Sequence, residues 1–471
     1  MLARCKAGCT IPRHLGVPRW GGPAAWARGR VSAGTRVFFT SRRSLIDIVL
    51  PLALPLAGHR SAAGRAPRPR DMKGAARDHN GGMERVLAHL RPMPTNVPPS
   101  ERDRGAQTTR ATSAGPGASR HVFVFAEPGR FGGWPANHGL WCWGDEILVG
   151  FSAGTMKDLG PERHNIDRDL PEEHRLARSL DGGETWELEH PAAEQGMLVP
   201  VGGALHGVTP PGQVERQWTD CPGGIPFTHP DFCMTLRMTD TKRGPSRFYY
   251  SVDRGHVWVG PYRLPLFGQL GVAARTDYVV NGPSDCTLLL TASKPDGSEG
   301  RPFAARTTDG GKTWGFVSWI NEHPSGYAIM PSTVELDGGE LLTAVRRRDT
   351  ERAWIECYRS TTQGNNWELE AEEPAPELGT GNAPSMIRLE DGRVCLTYGH
   401  RARPFGMRAR LSETGGRTWL PEIVLRDDAG GTDVGYPRSC QRASDGKVVT
   451  VYYYHTEPTG ERSIVATIWQ P

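Results

Sequence analysis

The chain has 471 residues, with 56 Lys or Arg against 52 Asp or Glu, 23% charged residues, 58 glycines and 39 prolines. Its formal net charge is +4, but residues 1–70 hold thirteen basic residues and one acidic residue, Asp47, so a local +12 leaves −8 for the rest. A nucleic-acid role for the working part of the chain is therefore excluded, and the basic balance belongs to the leader alone.

The first 119 residues are basic and rich in Pro, Ala and Gly, a composition that does not build a core. Within them, Ser41-Arg42-Arg43-Ser44 precedes a mostly apolar run from Leu45 to Ala57 and small residues at Ser61-Ala62-Ala63. That pattern reads as an export signal displaced inward, or else as a disordered tail with Met72 or Met83 as the working start. Export or a periplasmic location follows from the first reading, a cytoplasmic one from the second. The run is too short, and too broken by Pro51 and Pro55, to span a bilayer.

From about Arg120 the chain reads as strands. Glu127-Pro-Gly-Arg130-Phe-Gly-Gly-Trp134-Pro-Ala-Asn137-His138 comes first, a Gly-rich segment whose Arg, Trp, Asn and His have no structural need to be there and so suggest a ligand loop. The strand Glu146 to Phe151 follows, then a polar loop holding Asp158, His164, Asp167 and Asp169. Next comes the octad Ser179-Leu-Asp181-Gly-Gly183-Glu-Thr185-Trp186, which recurs as Ser251 to Trp258 and Thr307 to Trp314 in the pattern S/T-x-D-x-G-x-x-W. Degraded copies run from Ser360 to Trp367 and from Ser412 to Trp419, with Thr362 and Thr414 in the Asp position. In each, the Ser or Thr and the Asp can accept bonds from turn N–H groups, Gly supplies positive φ, and Trp is a large plug.

Between the octads lie short β-branched or aromatic runs: Cys286 to Thr291, Glu340 to Val345, Val394 to Tyr398, Lys447 to Tyr454 and Ser463 to Trp469. No long helical periodicity separates them, so βαβ units are disfavoured. The octad tryptophans at 186, 258, 314, 367 and 419 are spaced by 72, 56, 53 and 52 residues. At about 55 residues per unit, residues 120–471 predict an all-β six-bladed propeller of four-stranded blades, with the last strand closing the ring against the first. Seven cysteines, from Cys142 to Cys440, are scattered without C-x-x-C spacing and read as free buried thiols.

The octads are similar to the Asp boxes, or BNR repeats, of the sialidase (neuraminidase) superfamily, and the resemblance covers nearly all of residues 120–471. It implies a terminal sialic-acid-type sugar on a glycan as substrate, no metal or organic cofactor, three arginines for the sugar carboxylate, an Asp acid/base and a neutral tyrosine nucleophile with retention. Tyr436, in Asp433-Val-Gly-Tyr436-Pro-Arg-Ser ahead of a D-G turn, matches the tyrosine. Arg130, Arg346 (first of Arg346-Arg347-Arg348) and Arg401 (ahead of Arg403 and Arg408) are the expected arginines, and Asp167 the expected acid/base. Trp134, Asn137 and His138 would line the substrate site. The family's Glu partner for the tyrosine falls at Met330, which leaves Asp277 or Glu299 as substitute carboxylates. A polar loop, Phe227-Thr-His229-Pro-Asp231-Phe, runs on to Arg237 and has no counterpart in the pattern; it is a candidate for shaping substrate choice. Two other readings stay open: a propeller that binds glycans or proteins without turnover, and a two-carboxylate glycosidase centred on Asp277 and Glu299.

Overall fold

Strand after strand, the apolar residues alternate or run together over hairpin turns, and burial of these short segments gives six antiparallel sheets arranged in a ring, a six-bladed β-propeller. The computed structural model describes residues 119–160 and 163–471. The leader, where an export signal at 41–63 or alternative starts at Met72 and Met83 are expected, lies outside the described residues.

The third, fourth and fifth blades have the expected four strands each. The third, for example, is built on Asp285–Ser293 and Glu299–Thr307, buried along nearly their whole lengths. The first blade has five strands, because Leu140–Trp143 pairs with the lower half of Glu146–Thr155 while Arg130–Gly133 pairs with the upper half. The second has three, Cys233–Met238, Ser246–Ser251 and Val259–Arg263. This departure from four has a visible cause: the long interval between the first two octads holds an irregular segment, with only a short helix at Pro191–Gln195, and in place of a fourth strand only its Thr219 bridges Tyr262 of the outer strand.

The sixth blade closes the ring. Gly435–Gln441, Val448–Tyr454 and Ser463–Trp469 come from the C-terminus, and Arg120–Phe125 adds the outer strand, with Arg120 opposite Ile468 and Val122 opposite Ala466. The closure anticipated from the final strand is thus present. Val122, Phe125, Ile464, Ala466 and Ile468 share one buried cluster with Phe131, Phe151 and Tyr453 of neighbouring strands.

All five octads form the same turn. Ser179 Oγ accepts from Gly183 N at 2.8 Å, and Asp181 Oδ1 from Thr185 N at 2.9 Å. In the degraded copies the threonine hydroxyl replaces the carboxylate as acceptor, with Thr362 Oγ1 accepting from Asn366 N and Thr414 Oγ1 from Thr418 N, both at 2.9 Å. The glycine is needed for φ and for space, since Gly416 sits at φ +88° and a Cβ there would lie 2.3 Å from Leu342 Cδ2. The seven cysteines of the described residues are free, six of them buried. No described helix is long and apolar enough to cross a membrane.

The octad tryptophans are not equally buried. Trp258 is 2% exposed and packs on Trp141 at 5.6 Å between ring centroids, whereas Trp186 is half-buried. Trp258→Ala is expected to lower unfolding free energy in urea by about 3–5 kcal/mol, the range for a large aromatic deleted from a core. Trp186→Ala is expected to cost clearly less in the same titration.

Candidate functional site

The innermost strands of a propeller converge on one end of the central channel, and two of them carry a non-glycine residue in the left-handed region: Tyr436 at φ +50° and Met330 at φ +57°. Both sit where the strand register shifts, between Gly435 and Arg438 and between Ile329 and Ser332. At Tyr436 the unusual backbone is held from outside, as its N–H donates to Asn382 Oδ1 at 2.8 Å while Asn382 Nδ2 donates to Val434 O at 2.8 Å. Strain of this kind is retained where the surroundings dictate it, and it aims a side chain.

The Tyr436 phenol reaches a cavity of about 320 Å³ lined by Trp134, Asn137, His138, His164, Arg237, Arg275, Glu299 and Arg346, with Arg168, Glu172, His174 and His206 completing its polar wall. Arg346 Nη1 donates to the phenol oxygen at 3.1 Å. Burial pushes the phenol's pKa up, but Arg346, Arg401 and Arg275 together outweigh it and the net shift is downward. Arg346 in turn is held more firmly charged: burial opposes it, and Tyr436 and Tyr327 more than compensate. Glu299 Oε1 accepts from Arg275 Nη2 at 2.8 Å, and Arg275 Nε donates to Asn137 Oδ1 at 3.2 Å.

His164 stands beside the phenol, its ring edge-on to Tyr436 with centroids 6.0 Å apart. Its Nδ1 is 2.8 Å from Asp433 Oδ1, and Asp433, buried, also accepts from Arg462 Nε at 3.0 Å and Tyr453 Oη at 2.8 Å. Burial raises the Asp433 pKa, yet His164, Arg462 and Arg401 pull it well below the usual carboxylate range. The enclosing walls lower the His164 pKa, and the pull of Asp433 in the opposite direction does not make up the difference. A second hollow of about 220 Å³ adjoins, lined by Arg163, Arg348, Thr380, Arg401, Thr432 and Asp433; His164 and Arg346 line both.

Seven of the eleven residues singled out in the sequence meet in the main cavity: Tyr436, Arg346, Trp134, Asn137, His138, Arg237 and Glu299. The other four do not. Asp167 turns to the loop surface, where its Oδ1 meets Lys157 Nζ at 3.1 Å and accepts from Asp169 N at 3.1 Å. Those bonds hold its carboxyl below its ordinary pKa, which is the wrong direction for a proton donor. Arg130 is taken by Glu173 at 3.3 Å and Glu127 at 3.8 Å on the rim of the first blade. Arg401 lines only the second hollow, donating to Val434 O at 2.8 Å and Tyr453 Oη at 2.7 Å, with its guanidinium carbon 5.5 Å from the Tyr436 ring. Asp277 is buried behind the wall, accepting from Thr333 N at 3.1 Å and Thr333 Oγ1 at 2.9 Å.

The sequence pattern did not mark Arg168, Glu172, His174, His206 or Arg275, and it offered His164 only as a member of a polar loop. A signal existed for part of this set. Glu172 and His174 are two apart as the chain enters the strand Glu173–Ser179, which puts both on one face, and Arg168 pairs with Glu172 at i, i+4. Glu172, His174 and His206 offer ligand atoms all within 4.8 Å of one another, the one such trio among the described residues.

Residues 232–450 match a family model described as a BNR repeat-like domain. Among solved structures, a protein of unknown function from Dyadobacter fermentans aligns over 75% of this chain and 99% of its own, at 20% identity and a TM-score of 0.56. The Hadza microbial sialidase Hz136 aligns over 74% of this chain and 68% of its own, at 13% identity and TM-score 0.46. An alpha-L-arabinanase from Penicillium chrysogenum aligns over 74% and 97%, at 13% identity and TM-score 0.48. A comparison with curated proteins gave no match. The BNR-like match falls on residues 232–450, and the fold is the six-bladed propeller read from the Asp boxes.

Burial raises the Asp277 pKa to about 7, against the pull of Arg438 and the two bonds from Thr333. A carboxyl raised on folding binds more protons in the native than in the unfolded state, so its contribution is full below about pH 4 and is lost as pH rises towards 7. Urea titrations from pH 4 to 8 are expected to show the wild type losing stability relative to Asp277→Asn across that window, at no more than about 1.4 kcal/mol per pH unit.

Proposed function

We propose that this propeller is a retaining glycoside hydrolase that releases a terminal acidic sugar from a glycan, with Tyr436 as nucleophile. The observation that carries the reading is the buried phenol whose pKa is lowered by surrounding guanidinium groups, in a cavity of sugar size. A phenol that is uncharged until it gives up its proton in the attack is a nucleophile that an acidic substrate does not repel.

The bond to be broken belongs at the border between the two hollows. His164 and Arg346 are the residues common to both linings, so a sugar in the main cavity and its leaving group in the second hollow would put the glycosidic oxygen beside His164. In the first step the Tyr436 oxygen attacks the anomeric carbon and gives its proton to Glu299, the cavity carboxylate whose charge acts on the phenol. The glycosidic bond breaks, and the leaving oxygen takes the proton of His164, held at Nδ1 by Asp433. In the second step His164 accepts a proton from water, whose oxygen displaces the tyrosine and regenerates the phenol with the proton returned from Glu299. Two inversions give net retention. His164 thus takes the role that the sequence resemblance assigned to Asp167, from the same loop, and Glu299 takes the one assigned to a Glu where Met330 stands. The two-carboxylate reading lacks support, because Asp277 does not line the cavity.

Tyr436→Phe is expected to cut turnover on the order of a thousandfold or more while the thermal midpoint and product binding stay near wild type. Unchanged turnover in that variant would mean that the tyrosine is not the nucleophile. Because the first step needs His164 protonated and its pKa is lowered, the rate is expected to fall as pH rises above a point below 6.5. His164→Asn should remove that limb and slow substrates with poor leaving groups by about a hundredfold or more, but activated aryl glycosides by less than about tenfold. Product stereochemistry read by proton NMR during the first minutes checks retention.

A further inference from the structure

Among the described residues, most buried arginines are matched by carboxylates. Arg178 is held by Glu146 and Glu189, Arg347 by Glu356, Arg359 by Glu340 and Glu370, and Arg442 by Asp445 and Glu184. Arg237, on the strand Cys233–Met238 and 4% exposed, is not: among the described residues no carboxylate pairs with it. The three nearby acidic groups are all claimed, Glu172 by Arg168, Glu215 by Arg247 and Glu299 by Arg275.

What surrounds Arg237 instead is imidazole. Its Nη1 bonds His138 Nδ1 and lies 3.2 Å from His174 Nδ1, and its Nε and Nη2 have no hydrogen-bond partner among the described residues. A guanidinium can only donate, so both Nδ1 atoms are lone pairs and both rings carry their proton on Nε2. His206 is the reverse, with Nε2 3.2 Å from the Met238 carbonyl, which can only accept, and so it leaves a bare Nδ1. Burial and the adjacent guanidinium groups push His138 and His174 well below 6.5 and His206 to about 4, so the wall is neutral and leaves the cation uncompensated. A buried charge without a partner is strongly disfavoured, and sites keep one where a ligand supplies the counter-charge.

A metal ion does not fit this corner. Of the trio Glu172, His174 and His206, the carboxylate is already bound by Arg168, and His174 shows its protonated nitrogen once Nδ1 accepts from Arg237. A cation there would also sit beside two guanidinium groups. An anion is what the corner lacks.

We infer that Arg237, framed by His138, His174 and His206, is the seat for an anionic substituent of the bound sugar, separate from the reacting carbon. Arg237 lines the main cavity but not the second hollow, and it shares no hydrogen-bond partner with Arg346 or Tyr436. Of the three guanidinium groups beside the phenol, Arg275 is paired with Glu299, Arg346 donates to the phenol and to Thr380 O, and Arg401 donates to Val434 O and Tyr453 Oη, whereas Arg237 meets only imidazole nitrogens. The acid group of the substrate is therefore placed away from the anomeric carbon, as in a hexuronic acid, where the carboxylate is on the far ring carbon. A 2-ulosonic acid such as a sialic acid carries it on the anomeric carbon and would leave Arg237 unpaired. This substrate class rests on the glycosidase reading given above, while the seat itself does not.

The test compares wild type, Arg237→Gln and Arg237→Lys on aryl hexuronides of both anomeric configurations, the matching aryl hexosides, and an aryl sialoside. Wild type is expected to prefer a hexuronide, and Arg237→Gln to lose about a hundredfold in kcat/KM on it but less than about threefold on the hexoside. Arg237→Lys, which keeps the charge without the fork, should lie between, and it serves if the glutamine variant does not fold. Equal losses on both sugars, or efficient sialoside cleavage insensitive to Arg237, overturn the assignment. If no glycoside is cleaved, calorimetry with free glucuronate, galacturonate and inorganic sulfate still decides: binding to wild type that Arg237→Gln abolishes keeps the anion seat and discards only the glycosidase reading. No binding of any of the three overturns the seat. So does a stoichiometric zinc or calcium ion that survives dialysis and is lost in His206→Ala.

Discussion

One pairing holds the whole arrangement in place: the strand Arg120–Phe125 zipped antiparallel onto Ser463–Trp469, which joins residues about three hundred and fifty positions apart. Closing so long a loop costs on the order of 5 kcal/mol in chain entropy, a cost that grows only slowly with length. Burial of Val122, Val124, Phe125, Ile464, Ala466 and Ile468 in one cluster offsets it, and the last blade is completed by a strand from the start of the propeller. The first and last blades are thereby fixed to one another, and the site depends on that. Trp134 and His164 of the first blade meet Tyr436 of the last across this seam, with Trp134 Nε1 3.4 Å from His164 Nδ1.

The second organising feature is uneven charge compensation. Buried guanidinium groups occur in every part of the ring, and most of them tie a strand to its neighbour through a carboxylate. Around the cavity the matching is incomplete, although Arg168–Glu172 and Arg275–Glu299 are paired there. Arg237 has no acidic partner, and Arg346 Nε and Arg275 Nη1 also lack partners. Matched pairs stabilise the ring modestly at best, because desolvation consumes much of the attraction; unmatched cations oppose folding and persist only because something else is gained. The run Arg346-Arg347-Arg348 shows the contrast over three consecutive residues: Arg346 faces the phenol, Arg347 pairs with Glu356, and Arg348 is exposed at the second hollow.

That run also shows what a sequence conveys. Period, turn chemistry and strand content were legible because each rests on local rules repeated several times, and the octads form the expected turn even where Thr replaces Asp. Tyr436 and Arg346 were legible because each lies at a fixed offset from a D-G turn. Asp167 was not, because an aspartate on a surface loop is decided by what approaches it, and here that is Lys157. Arg130 was lost in the same way to Glu173. Of the histidine wall only His138 was legible; His174 and His206 were not, since they come from other segments, one of them in the irregular stretch whose length was visible but whose path was not.

Met330 links the backbone of the site to its charge balance. It occupies the same kind of left-handed bulge as Tyr436, on the innermost strand of another blade, and its side chain is buried in the same apolar cluster as Tyr436. A carboxylate there would push the phenol's pKa up, as Glu299 does now. With a thioether in its place, the balance at Tyr436 is set by Arg346, Arg401 and Arg275 against burial and one remaining anion, and the net shift of the phenol is downward. The apolar residue at 330 therefore strengthens the reading of Tyr436 as a reactive group: it removes an anion from the phenol's surroundings and leaves the guanidinium groups to prevail.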